Sequence, residues 1–246
     1  MKKRLVKTIT GVLFLTLAGI SQAMAGQISI SVKNLTNGIY FTPLLVTAHD
    51  ADTDLFQTGE PASAALQAMA EGGDISYLSA LVGGPDDDTV ENPAGGLLGP
   101  GDSVNNIVLD TGRRSRNKFL SIVAMLLPTN DGFVGLDSLR IPLFPGTYKY
   151  LLLGYDAGTE ANDERITGGG APGAAGIPAA PGGDGGENGT GVTDLETNQT
   201  VHVHRGVIGD DDPSGGRSDL DRIIHRWLNP VAEVTIEVHH RRYSGR

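Results

Sequence analysis

The chain has 246 residues, with 29 acidic against 19 basic side chains and no cysteine. That acidity disfavours nucleic acid and anionic membrane as partners, and the absence of cysteine excludes disulfides and thiolate metal sites. A chain of this length can bury one sizeable core without covalent staples.

Met1–Ala25 reads as a secretory signal peptide. Lys2, Lys3, Arg4 and Lys7 precede an apolar stretch from Ile9 to Ile20, and Ala23-Met24-Ala25 offers an A-x-A cleavage site before Gly26. The apolar stretch is too short to span a bilayer comfortably, which weighs against a retained anchor. No other segment has the length to cross, so the mature protein is expected to lack a membrane span and to be secreted, periplasmic or extracellular. Cleavage removes four basic residues and no acidic one, leaving 15 against 29.

Gln27–Lys33 alternates, with Ile28, Ile30 and Val32 on one side, as in a strand with one buried face. Asn34-Leu35-Thr36 and Asn198-Gln199-Thr200 are formal glycosylation sequons. Phe41–Ala48 is a second strand, and Pro43, lacking a donor, belongs at a strand start or sheet edge. Leu55–Leu81 leaves the β pattern. Pro61 suits a first helical position, Leu66 and Met69 form a stripe, and Gly72-Gly73 stops it. Asp74 then caps a second short helix over Ile75–Leu81. This helical excursion is expected to pack over one edge of a sheet structure.

Gly83–Gly101 is turn-rich, and its Asp86-Asp87-Asp88 triplet reads as a solvated loop. Ser103–Leu109 and Phe119–Leu127 follow as strands. The second is apolar nearly throughout and so belongs at the centre of a sheet. Arg113, Arg114, Arg116 and Lys118 cluster between them, as either a small anion site or a solvated hairpin tip.

Two oxygen-rich turns come next. The first follows Phe119–Leu127 and holds Asn130 and Asp131; the second follows Tyr148–Tyr155 and holds Asp156, Glu160, Asn162 and Asp163. Strands ending side by side would bring these turns together, and carboxylates so gathered repel unless a cation lies between them. Oxygen-only donors on glycine-containing loops suit a hard cation, calcium before magnesium. Ordinary polar turns use the same residues, and spacing alone leaves both readings open.

Gly168–Gly191 holds eleven glycines and three prolines. With few side chains to pack and a large entropy of ordering, it reads as a long mobile loop inserted into the domain. It follows the second acidic turn directly and could drape over that end, where Asp184 and Glu187 could lend ligands, although a flexible loop makes poor permanent ones. Thr200–Arg205 is a strand on which His202 and His204, two apart, share a face. Copper–zinc superoxide dismutases carry such a His-x-His strand on a sandwich, which makes a metal-dependent enzyme the alternative. Against it, His49, His225, His239 and His240 lie in unrelated contexts, and no nucleophile–base motif is present, so no enzyme is expected. Asp210, Asp211 and Asp212 form a further acidic loop, a second cation site or a solvated turn. Val231–Val238 alternates and closes the sheet, and residues 241–246 form a basic tail.

The stretch NDGFVGLDSL (Asn130–Leu139) followed by YDAGTEANDE (Tyr155–Glu164) resembles the bacterial branch of the spondin N-terminal domain family. Ile30–Asp50, Phe56–Asp74 and Trp227–Ile236 fit in the same order. The domain also occurs in animal matrix proteins. The resemblance implies an all-β fold over residues 26–240: an antiparallel β-sandwich similar to calcium-and-lipid-binding signalling domains, with a small helical insert. It implies a metal at the loop end held by Asp131, Asp156 and Glu160; the donor types above make that metal calcium, and Asn130, Asn162 and Asp163 in the same turns offer further oxygens. Glu160 stands where the animal proteins tend to have Asp. The implied role is adhesion or binding of an extracellular protein or glycan. A purely structural envelope protein is the remaining alternative, and no oligomeric state is implied.

Overall fold

The computed structural model of the protein describes residues 26–82, 88–111 and 117–239. The expected signal peptide, Asp86-Asp87, the Arg113–Arg116 cluster and the expected basic tail lie outside the described residues.

Ten strands and two helices are present among them: β1 (Gln27–Asn34), β2 (Tyr40–Phe41), β3 (Leu45–His49), α1 (Ala64–Gly72), α2 (Ser76–Leu81), β4 (Asp88–Glu91), β5 (Ser103–Asp110), β6 (Phe119–Leu127), β7 (Gly132–Arg140), β8 (Gly146–Asp156), β9 (His202–Val203) and β10 (Ala232–Val238). The strands form one antiparallel sheet in the order β4-β3-β6-β7-β8-β10-β1-β5, with β2 added to β6 and β9 to β8. The long strand β8 belongs to both layers. Gly146–Leu152 pairs with β10, and Leu153–Asp156 pairs with β7. The two ends of the path come back together where the Asp110 N–H donates to Asp88 Oδ2. The sandwich expected from the sequence is thus a single sheet, folded at β8 and nearly closed. Asp88, read as part of a solvated loop, instead lies in β4 at this closure.

Alternation in β1 turns Ile28, Ile30 and Val32 inward against Ile107 and Leu109 of β5, Val234 and Ile236 of β10, and Leu120, Ile122, Ala124 and Leu126 of β6. The other face of β6 carries Val123, Met125 and Leu127, which pack with Phe133 against Leu66, Met69 and Leu78 of the helices. Burial on both faces explains why β6 is apolar nearly throughout. The helical insert covers the outer face of the β6 layer, where an edge had been expected. Ser63 Oγ accepts the Leu66 N–H at the start of α1, and Gly73 ends it in the left-handed region at φ 72°. Asp74 Oδ1 accepts the Ser76 N–H at the start of α2.

Two expected strands are shorter than the sequence pattern. Phe41–Ala48 is interrupted at Thr42-Pro43-Leu44, where Thr42 Oγ1 takes over by accepting the Met125 N–H. Thr200–Arg205 retains strand pairing only at His202–Val203. Asn34, the first sequon asparagine, is fully buried and donates to the Ile39 and Leu98 carbonyls, so it cannot carry a glycan in this fold.

The glycine-rich stretch departs most from expectation. Ile177 is fully buried with Val207 and Leu220, and its backbone bonds to Arg165, Thr167 and Gly168. Farther along, the Gly189 N–H donates to Asp219 Oδ1. One apolar side chain and a set of backbone bonds dock a segment that composition alone makes a loose loop.

Candidate metal centre

The pairing Gly132↔Asp156 places the start of β7 beside the end of β8 and so joins the two acidic turns. The first turn is shaped by Thr129, whose hydroxyl donates to the Leu126 carbonyl at 2.6 Å and accepts the Gly132 N–H at 3.0 Å. Asp131 is buried behind it. Its Oδ2 accepts the Thr159 N–H at 2.8 Å, the Thr159 hydroxyl at 3.1 Å and the Glu160 N–H at 3.3 Å. Its Oδ1 is buried with no hydrogen-bond donor among the described residues.

Asp156, also buried, accepts the Gly158 N–H on Oδ1 at 2.8 Å and the Asn162 amide on Oδ2 at 2.7 Å. His202 Nε2 stands 3.8 Å from the same Oδ2. Glu160 accepts the Gly176 N–H on Oε2 at 2.9 Å, and its Oε1 is a second buried oxygen without a donor. Burial, then the charge of Asp156, raises the Asp131 carboxyl from 3.8 to about 7, against the opposing N–H groups of Thr159 and Glu160. Burial raises Glu160 from 4.5 to about 8, with Asp131, Glu71 and Asp163 adding repulsion. Asp156 is raised chiefly by burial too, offset by Asn162 and His202.

The other expected donors are brought close but are already engaged. Asn130 donates to Asp163 Oδ1 at 2.9 Å and accepts the Glu164 N–H at 3.1 Å, which clamps the two turns together. Asn162 acts through Asp156. Asp184 lines a separate acidic cleft with Asp210 and Asp219. There Asp210 accepts the N–H groups of Asp212, Arg217 and Ser218, which hold its carboxyl below the usual range, and Asp211 pairs with Arg222.

The two strand histidines part company. His204 is buried, accepts the Gly206 N–H on Nδ1 and lies against Trp227 with ring centroids 5.0 Å apart. Burial, with the charges of Arg205 and His202, lowers it to about 3 and keeps it neutral. His202 turns to Asp156 instead. Among the described residues no group of three histidine or acidic side chains stands ready around one point. The His202/His204 pair therefore lacks the further ligand that a superoxide-dismutase-like site needs.

Sequence reasoning did not single out Thr159, Glu71 or Gly176. Thr159 lies inside the YDAGTEANDE stretch and was readable as a hydroxyl beside two acids. Glu71 sits on a helix some ninety positions before Glu160 in the chain, and nothing in the sequence links the two.

Asp131, Asp156 and Glu160 are likewise not gathered ready around one point, and what suits a hard cation is the chemistry of their donors. Every candidate atom is oxygen, burial raises all three carboxyls, and two buried oxygens lack a hydrogen-bond donor among the described residues. Fold and site together define an all-β module with a carboxylate-lined loop end. The Spondin_N family model matches residues 33–164, more than half of the chain and both acidic turns; the chain belongs to the spondin N-terminal domain family. That membership supports an extracellular or cell-surface module in general. No curated protein matches the chain. No helix among the described residues is long and apolar enough to cross a membrane.

Proposed function

We propose that the protein is a secreted adhesion or ligand-binding module whose loop end takes up calcium through Asp131, Asp156 and Glu160. The observation that carries this reading is the pair of donor-free buried oxygens, Asp131 Oδ1 and Glu160 Oε1, on carboxylates that repel each other. A divalent cation at this end neutralises the repulsion and locks the two turns. Asp131 and Glu160 supply the free oxygens. Asp156, held by Asn162 and Gly158, supplies the third charge. Calcium is favoured over magnesium because loop-borne oxygens tolerate its irregular, larger shell. Adhesion rests on the extracellular character of the family.

Thermal melting in chelator, calcium and magnesium tests the proposal. Extracellular calcium modules have dissociation constants near 10⁻⁴–10⁻³ M. At the tight end, ~10 mM calcium stabilises by roughly 2.7 kcal/mol, or about 5–10 °C for a domain of this size. Asp156→Asn keeps the shape, removes one charge and is expected to abolish most of that shift. Asp52→Asn, at an exposed position, is expected to leave it intact. Equal melting of the wild type in all three conditions overturns the calcium reading.

A further inference from the structure

The glycine-rich segment is tied down at two carboxylates, and one of them is the candidate ligand Glu160. The Gly176 N–H donates to Glu160 Oε2 at 2.9 Å, while Oε1 of the same group is the buried oxygen without a donor. Three residues earlier, the Gly173 N–H donates to Glu71 Oε2 at 2.5 Å. Glu71 is itself buried at the end of α1, where its Oε1 accepts the Gln67 amide. Backbones meet closely along this line. A Cβ on Gly72 would lie 2.0 Å from the Gly170 carbonyl oxygen, and one on Gly176, at φ +105°, would lie 2.0 Å from Thr167 Oγ1. Ile177 anchors the far end in its small apolar cluster.

We infer that residues 170–177 form a strap whose docking against α1 is coupled to cation binding at the loop end, with Glu160 as the shared group. The inference rests on the calcium reading above. One Glu160 oxygen serves the strap and the other faces the cation, so neither contact is independent of the side chain's orientation. Without a cation, Asp131 and Glu160 push apart wherever both are ionised, and the movement that relieves this draws Oε2 off the Gly176 N–H. A cation shared by the two acids holds Glu160 in the orientation that the strap requires. Glycine-rich chain is costly to order, and Ile177 is the one fully buried side chain in residues 170–177, so the docked strap is poised near the point of release. Linkage makes the effect reciprocal: loosening the strap weakens cation binding by the factor by which the cation tightens the strap.

The experiment pairs amide exchange at Gly173 and Gly176, in chelator and in calcium, with calorimetric calcium titration of the wild type and Ile177→Ala. This substitution removes no charge and no candidate ligand. Calcium is expected to slow exchange at both amides by about fivefold or more, and Ile177→Ala to speed exchange and weaken calcium binding by a comparable factor. If Ile177→Ala does not fold, Ile177→Val is expected to show the same paired changes on a smaller scale. Calcium binding with unchanged exchange overturns the coupling, as does a loosened strap with unchanged calcium affinity. A wild type that takes up no calcium removes the calcium reading and the coupling together.

Discussion

Replacing Asp131 by Asn is expected to stabilise the metal-free protein at pH 8, although it removes a buried group with three hydrogen-bond donors. Asparagine keeps an amide oxygen for the donors that Oδ2 now accepts, the Thr159 N–H and hydroxyl and the Glu160 N–H. Its NH₂ replaces Oδ1, which has no donor, beside the charge of Asp156. The sign follows from proton linkage. A carboxyl raised from 3.8 to about 7 by folding binds its proton more tightly in the folded chain. Wild-type stability therefore falls as pH climbs from about 4 to about 7, and the full penalty stands above that. At ~1.4 kcal/mol per tenfold change in proton affinity, the penalty is at most about 4 kcal/mol. If half is recovered, melting rises by about 4–8 °C in chelator at pH 8. At pH 5.5 about 2 kcal/mol of the penalty has gone, so the gain is expected to vanish. In calcium the order is expected to reverse, because the variant loses a proposed ligand. Melting curves of both proteins at the two pH values, with chelator and with calcium, provide the measurement. A variant that melts below the wild type in chelator at pH 8 refutes the account of Asp131 as a strained, donor-poor carboxylate.

Glu164→Ala should cost far more than any change at an exposed acid. Glu164 accepts the Ile208 N–H on one oxygen and the Gly209 N–H and Ser218 hydroxyl on the other; stranding them costs about 3–5 kcal/mol at ~1–3 kcal/mol per buried group, and a urea-unfolding loss below ~1 kcal/mol would contradict that role. Exchanging Pro172–Gly189 for a short Gly-Ser linker should also destabilise. Loss of the buried Ile177 alone is worth about 2–4 kcal/mol, whereas an unchanged melting temperature would return the segment to the status of a loose loop.

Much of the fold was legible because its signals are local. The alternation of Ile28, Ile30 and Val32, the unbroken apolar run of β6, and the Gly72-Gly73 stop each depend on neighbours in sequence. The meeting of the acidic turns was legible in outcome but not in route: β6 and β8 do not lie side by side, and it is the start of β7 that pairs with the end of β8. What was not legible depends on single long-range contacts. Composition describes 168–191 as unable to pack, yet one Ile and a few backbone N–H groups find Glu71, Glu160 and Asp219. The two histidines looked equivalent by spacing. Trp227 buries one of them and Asp156 draws the other, and neither partner is near in sequence.

The family-matched residues contain the candidate ligands and the strands β6, β7 and β8 that carry them, but not the whole frame around them. Strand β10 lies between β8 and β1, so the sheet has no continuous path without a strand from beyond residue 164. Thr159 and Glu160 hold Asp131, and Gly158 and Asn162 hold Asp156, from within the matched segment, but two further neighbours come from the later region. Gly176 fixes Glu160, and His202 faces Asp156. Asn229 Oδ1 accepts the Gly154 N–H at 2.6 Å, two residues before Asp156. Trp227 lies against the glycine at that position, where an added Cβ would come within 2.7 Å of the ring. Charge at the loop end and the hydrogen bonds to Asp131 and Asp156 are therefore supplied by the matched segment, while the strap contact to Glu160 and the histidine beside Asp156 are supplied by the chain that follows. Cation affinity depends on both, because a carboxylate in water binds calcium weakly and one held dry beside another must find a cation or a proton. Two chains that share the acidic turns and differ after residue 164 are accordingly expected to differ in calcium affinity.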